Sequence, residues 1–203
     1  MTAWPALVLL RAVTWPAVLG LTAGAALVGA VGVALGPAST GSAPLATAGA
    51  LLAAAAAFTM DEPSAPIVDI TPTSPVRRTA ARAYALSIPI LAGALLAIAV
   101  HTRDPALSPT ALAVAVLGNT LLGFAAACAT RRRLAQPGGP AATAITVTLV
   151  AAPLLNPIAR RVQLFPGSPP ATLSSNTWWT LATASSLLTI AVSTYVRAGK
   201  PYA

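Results

Sequence analysis

The chain has 203 residues, of which 56% are hydrophobic and only 8% are charged, whereas soluble domains carry about 25% charged residues. This composition excludes an ordinary soluble domain and predicts an all-α, polytopic integral membrane protein with a single domain over residues 1–203. The formal net charge of +8 does not indicate nucleic-acid binding, because the arginines stand in short clusters between apolar runs and form no basic face.

Six apolar segments are predicted to be transmembrane helices, since a span needs about 20 mostly apolar residues. Residues 3–11 are expected to form either a short interfacial helix ahead of the first span or the leading turns of that span. The second span is rich in alanine and only modestly hydrophobic, which predicts that it faces protein more than lipid. Ser74 and Pro75 are typical of an N-cap followed by proline, so the third helix is expected to begin at Pro75 and to enter the bilayer near Ala83. The predicted spans are about 13–35, 43–60, 83–101, 107–129, 141–156 and 177–196.

The distribution of basic residues predicts the orientation. With the N terminus inside, cytoplasmic segments hold nine of the twelve Lys and Arg residues and external segments hold three. Because cytoplasmic loops carry the excess of Lys and Arg, both termini are predicted to be cytoplasmic, as six spans require. Arginine strongly outnumbers lysine and alanine is abundant, which is typical of a high-GC genome. We therefore expect a multi-pass protein of a bacterial plasma membrane.

The chain offers few groups for chemistry. Its only lysine, Lys200, is not part of a Gly-rich phosphate loop, so the chain is not expected to hydrolyse nucleotides. One histidine, His101, and one cysteine, Cys128, lie far apart, so neither a metal nor another cofactor is expected. No ionisable residue lies deep in a predicted span, which argues against an ion-coupled transporter. The chain is predicted not to be an enzyme.

Small and polar residues within the spans are interpreted as contributing to helix packing and hydrogen bonding. Gly20-x-x-x-Gly24 and Gly32-x-x-x-Gly36 allow close helix packing, or are merely tolerated in a span. Asn119 is the one strongly polar mid-span side chain, for which we expect an interhelical hydrogen bond, with contact to a substrate path as the alternative. The hydroxyl groups of the last two spans can be satisfied by their own backbone.

Residues 61–82 form the longest polar interruption in the first half of the chain. They include three of the four acids and four prolines. In the predicted orientation this is a cytoplasmic loop between spans two and three. Its first part, 61–73, carries the acids and a short apolar patch and is the candidate contact for a partner, while 74–82 is predicted to start the third helix. The alternative is a solvated loop whose arginines only follow the positive-inside rule.

In layout, the whole chain resembles the membrane subunits of ABC-type exporters of the type-2 permease class. Members of that class have six spans with cytoplasmic termini and an interfacial helix before the first span. They also have a coupling helix between spans two and three and a partly re-entrant external segment between spans five and six, here residues 156–176. The amino-acid sequence of residues 60–82 also looks like that of loops in small actinobacterial membrane proteins associated with ABC ATPases.

This resemblance implies a permease subunit that is energised by a separate ATPase subunit and completed by a second copy or a related membrane subunit. The prolines leave room only for a brief coupling helix, over about residues 65–70. A non-transporting scaffold, anchor or immunity-type protein is the alternative. An enzyme acting on lipid is less favoured, because buried acids, paired histidines and a nucleophile with a base are missing from the sequence. The residues expected to contact the ATPase are Asp61, Glu62, Ile67, Val68, Asp69 and Ile70.

Overall fold

The computed structural model describes residues 13–35, 42–61, 75–131, 133–134, 136–151 and 174–198. Within these residues the chain is helical and contains no strand, which confirms the all-α prediction. A 3-10 turn, Tyr84–Leu86, joins the third helix to the fourth. The helices are α1 (Trp15–Leu35), α2 (Ser42–Phe58), α3 (Pro75–Ala83), α4 (Ser87–Arg103), α5 (Pro109–Thr130), α6 (Gly138–Ala151) and α7 (Ser175–Ala198).

Each predicted span overlaps one of these helices, and α3 begins at Pro75 as the proline pattern predicts. Three helical stretches are long and apolar enough to cross a bilayer, namely Trp15–Leu35, Arg78–Arg103 and Pro109–Thr130, with mean hydropathies of 2.2, 2.2 and 1.9. Helices α2 and α6 are apolar but shorter. The described helices therefore have the length and composition of a membrane protein.

Helix α2 is the centre of the bundle and packs against α1, α4, α5 and α6. Residues 52–57 of this helix, one leucine followed by five alanines, are all buried. A helix that is buried on every side must be apolar all round, and small side chains let several neighbours approach it at once. The prediction that the second span faces protein is confirmed.

The closest helix approaches occur at glycines of α4 and α5. A Cβ atom at Gly123 would overlap the backbone carbonyl of Ala53 in α2. A Cβ atom at Gly118 would lie 2.6 Å from the ring of Trp179 in α7. Since a backbone carbonyl cannot move aside as a side chain can, Gly123 is the position at which glycine is required for α2 and α5 to pack.

The glycines expected to pack α1 behave differently. A Cβ atom at Gly20 would meet no atom within 4 Å, and one at Gly24 would meet only the Leu51 side chain at 3.8 Å. Gly32 is buried, and Gly36 lies outside the described residues. In α1 the close approach is instead at Gly29, where a Cβ atom would lie 2.6 Å from the Leu96 side chain. The spacing pattern did not identify which face of α1 meets the bundle.

Charge is unequal at the two ends of the bundle. One end combines the C-terminal ends of α2 and α5, the start of α6 and the 3-10 turn, which share a core containing Met60, Leu86, Cys128 and Ala141. We call this the basic end. The described charged side chains at the basic end are Asp61, Arg78, Arg82, Arg131 and Arg133, whereas the α4–α5 turn at the opposite end holds His101, Arg103 and Asp104.

Candidate functional site at the basic end

Asp61 joins the end of α2 to the start of α6. It follows directly after the last turn of α2, is only 7% exposed, and accepts a 2.5 Å hydrogen bond at Oδ1 from the backbone N–H of Gly138. The first N–H groups of a helix have no partner inside the helix, and a carboxylate there is also favoured by the helix dipole. A Cβ atom at Gly138 would lie 2.6 Å from Asp61 Oδ2, so any side chain here would require the Asp61 carboxylate to shift.

Arg131 makes a second link at the same place. It follows the last residue of α5, and its Nη1 atom donates a 2.9 Å hydrogen bond to the carbonyl oxygen of Met60. The last carbonyl groups of a helix have no intrahelical N–H donor, so an arginine is well suited to donate a hydrogen bond to one of them. Asp61 and Arg131 together tie the exit of α2 to both α5 and α6.

The environment of Asp61 changes its acidity. Burial raises the pKa of the Asp61 carboxyl above its ordinary value, because a charged carboxylate loses water when it enters the bundle. The hydrogen bond from Gly138 and the positive charge of Arg131 lower the same pKa, but they offset only part of the effect of burial. We therefore expect the link between α2 and α6 to depend on pH.

Two arginines of helix α3 are buried, whereas apolar side chains of α3 and of the following 3-10 turn are exposed. Arg78 and Arg82 lie four residues apart on one helix face, and Arg82 is only 1% exposed. Both make polar or electrostatic interactions within the chain. Val76 and Tyr84 are exposed, Tyr84 at 72%. Helix α3 also packs against α7, and the burial of Arg78 and Arg82 shows that the face carrying them is directed into the basic end.

The sequence pattern predicts that residues 74–82 start the third helix, but it does not predict that Arg78 and Arg82 are buried. The four-residue spacing of Arg78 and Arg82 was the available signal that they share a face. Whether that face is directed outward or inward depends on packing against α7, which the sequence pattern does not contain.

Of the six residues expected to contact an ATPase, the structure describes Asp61. Its carboxylate is occupied inside the chain by Gly138. Contact with a partner stays a prediction for this residue. The described residues on either side of 62–74, Asp61 and helix α3 from Pro75, both lie at the basic end. The remaining five expected contacts, Glu62, Ile67, Val68, Asp69 and Ile70, lie outside the described residues.

Asn119 is held by its own helix and by close packing. Its Nδ2 atom donates a 2.8 Å hydrogen bond to the carbonyl of Ala115 in the same helix, and its Oδ1 atom is buried without a hydrogen-bond partner. The expected interhelical hydrogen bond is therefore not observed. The side chain instead packs against α2, where a Cβ atom at Gly49 would lie 3.3 Å from Nδ2. Asn119 also lines a cavity of about 60 Å³ between α2, α4 and α5.

Hydroxyl groups of α6 and α7 mostly bind their own backbone, as expected. The hydroxyl groups of Thr183 and Ser186, by contrast, are buried without a hydrogen-bond partner. Polar atoms without partners are thus present in the interior near α7. The hydroxyl groups that donate to a carbonyl three or four residues earlier are those of Thr143, Thr148, Thr180, Ser185, Thr189 and Thr194.

Comparison with protein-family models, with curated proteins and with solved structures finds no match for this chain. The class of protein is therefore defined by the fold and the site: a helical membrane protein with small-residue packing around one central helix. Two polar interhelical links, from Gly138 to Asp61 and from Arg131 to Met60, are formed at the basic end, directly before the segment 62–74.

Proposed function

We propose that the chain is the transmembrane (permease) subunit of an ABC-type exporter in a bacterial plasma membrane, energised by a separate ATPase subunit at the basic end. The observation that carries this proposal is the attachment of both flanks of segment 62–74. Asp61 bonds to the start of α6, and α3 packs on α7. A force applied to this segment would therefore act directly on α6 and α7, as a coupling loop requires.

The position of the charges supports the same arrangement. Four arginines, Arg78, Arg82, Arg131 and Arg133, lie at the basic end, against Arg103 at the other end of the described bundle. Excess arginine marks the cytoplasmic side, and ATP is hydrolysed in the cytoplasm. An ATPase subunit would thus meet the end of the bundle at which the described flanks of residues 62–74 lie.

The packing of the interior favours a pore shared with another subunit. The centre of the described bundle is filled by the alanines of α2, and the cavity beside Asn119 has about 60 Å³. Pockets for small molecules usually have about 300–1,000 Å³. A transport path would consequently lie between this chain and a second copy or a related membrane subunit, with the apolar exposed faces of the helices in contact with that subunit or with lipid.

Purification of the tagged chain in mild detergent, followed by mass spectrometry and an ATP hydrolysis assay, tests the proposal. We expect an ATP-binding protein to copurify. A triple variant, Ile67→Ala with Val68→Ala and Ile70→Ala, should lose it, because the apolar contact is removed. Val147→Ala, an exposed apolar position of α6, is the matched control and should retain it. If no ATP-binding protein copurifies with the unmodified chain, the proposed function is wrong.

A non-transporting scaffold or anchor is the second candidate, and the tight small-residue packing around α2 favours it. The two functions differ in what deletion of the chain does to a partner complex. Transport by the copurifying complex should be lost without this subunit if it is a permease. Transport that continues unchanged would establish the scaffold instead.

A further inference from the structure

An open cleft of about 650 Å³ lies between the C-terminal end of α5 and the second half of α7. Its apolar wall includes Leu188 and Val192, and its polar lining includes Thr130, Thr189, Ser193 and Arg133. The cleft is at the basic end, since Arg133 is two residues from Arg131, which bonds to the carbonyl of Met60. Its volume falls within the range of ligand pockets.

Two polar side chains of the cleft are available to donate hydrogen bonds. Arg133 is exposed, and its guanidinium group has neither a hydrogen bond nor an ion pair with any residue that the structure describes. The Ser193 hydroxyl likewise makes no hydrogen bond within the described part of the chain, although the residue is only 5% exposed. The hydroxyls of Thr130 and Thr189 donate to the backbone of their own helices and can only accept.

An exposed apolar stripe continues from this cleft along α7. Leu181, Leu188, Val192 and Tyr195 are all exposed, and their spacing of seven, four and three residues places them on one helix face. The stripe runs from the basic end towards the middle of the bundle. The cleft thus combines donors for an anion at the basic end with an apolar surface directed into the expected hydrocarbon region.

We propose that this cleft binds an anionic phospholipid. Arg133 donates to the headgroup phosphate, for which the planar guanidinium is well shaped, and Ser193 adds a second donor. One acyl chain lies along Leu188 and Val192. Basic pockets between helices on the cytoplasmic side are suited to anionic headgroups, because the cytoplasmic leaflet carries negative lipids. This inference does not depend on the proposed transport function.

Native mass spectrometry of the full-length chain, released from bilayer discs of equal parts phosphatidylglycerol and phosphatidylcholine, measures which lipid the protein retains. The unmodified chain should be enriched in phosphatidylglycerol. Arg133→Gln should reduce that enrichment about tenfold, as expected for loss of a charge-assisted hydrogen bond. Arg103→Gln removes the same charge from an exposed arginine at the opposite end and should leave the enrichment unchanged.

A second variant separates the cleft from charge alone. Leu188→Trp keeps every arginine but fills the apolar wall, and should also reduce phosphatidylglycerol retention. Circular dichroism and thermal unfolding of each variant check that the helices are intact. If Leu188→Trp does not fold, Arg133→Lys replaces it, and this variant should retain more phosphatidylglycerol than Arg133→Gln does. Equal losses in Arg133→Gln and Arg103→Gln would overturn the proposal. Unchanged retention of phosphatidylglycerol in Arg133→Gln would overturn it as well.

Discussion

Asp61 is the residue on which the basic end most depends, because its carboxylate binds the first N–H of α6 while Arg131 binds the carbonyl of the preceding residue. Its position in the sequence, among acids and prolines after an apolar run, identified it as a polar residue beside a membrane segment. The same pattern could not show that it turns into the bundle, since Gly138 is 77 residues further along the chain.

The raised pKa of Asp61 predicts how stability depends on pH. A carboxyl whose pKa is higher in the folded state binds more protons when folded, so folding is favoured below the ordinary value of 3.8. Stability should fall as the pH rises from there through the folded-state pKa, and should then stay level. The free energy of unfolding in detergent, measured against pH, should show this decrease for the unmodified chain.

Asp61→Asn is the control, because it cannot titrate but keeps an oxygen for the Gly138 N–H. Relative to Asp61→Asn, the unmodified chain should lose unfolding free energy as the pH rises. A difference that is independent of pH, or that changes in the opposite sense, would contradict the cause assigned to the pKa.

Helix α2 shows that a single sequence can predict which helix is surrounded by other helices. Its run of alanines cannot cover much apolar lipid surface but can admit several close neighbours, so its central position followed from composition. The glycine spacing of α1 was less informative, because close approach needs a facing helix as well as a small residue. That partner is Ala53 for Gly123, whereas Gly20 has none within the described chain.

Gly123→Ala should therefore destabilise the bundle, by roughly 1–3 kcal/mol, the usual cost of overpacking a core. The added methyl group would overlap the Ala53 carbonyl, which forces α2 and α5 apart. Gly20→Ala is the matched control. It meets nothing in the chain and should be neutral or stabilising by up to about 1 kcal/mol, because glycine is a poor helix former. Thermal unfolding in detergent measures both, and equal stability of the two variants would refute the packing argument.

For the whole molecule, the antiparallel arrangement of the helices collects distant arginines at one end. Residues 78, 82, 131 and 133 are separated along the chain, but α3 and α5 deliver them to the same side of the bundle. The sequence could predict this grouping through alternate spans and the positive-inside rule. It could not predict the cleft beside Arg133, which is formed between the end of α5 and the second half of α7.

The proposals for the ATPase and for the lipid both require the basic end to face the cytoplasm. Labelling of single cysteines with a membrane-impermeant maleimide tests this most directly, in a chain whose buried Cys128 is changed to Ser. In intact cells, Ser168→Cys, in the segment between α6 and α7, should be labelled. Ser64→Cys, in the segment between α2 and α3, should be labelled only after the membrane is opened. Labelling of both positions from the same side, or of Ser64→Cys alone in intact cells, would contradict the account.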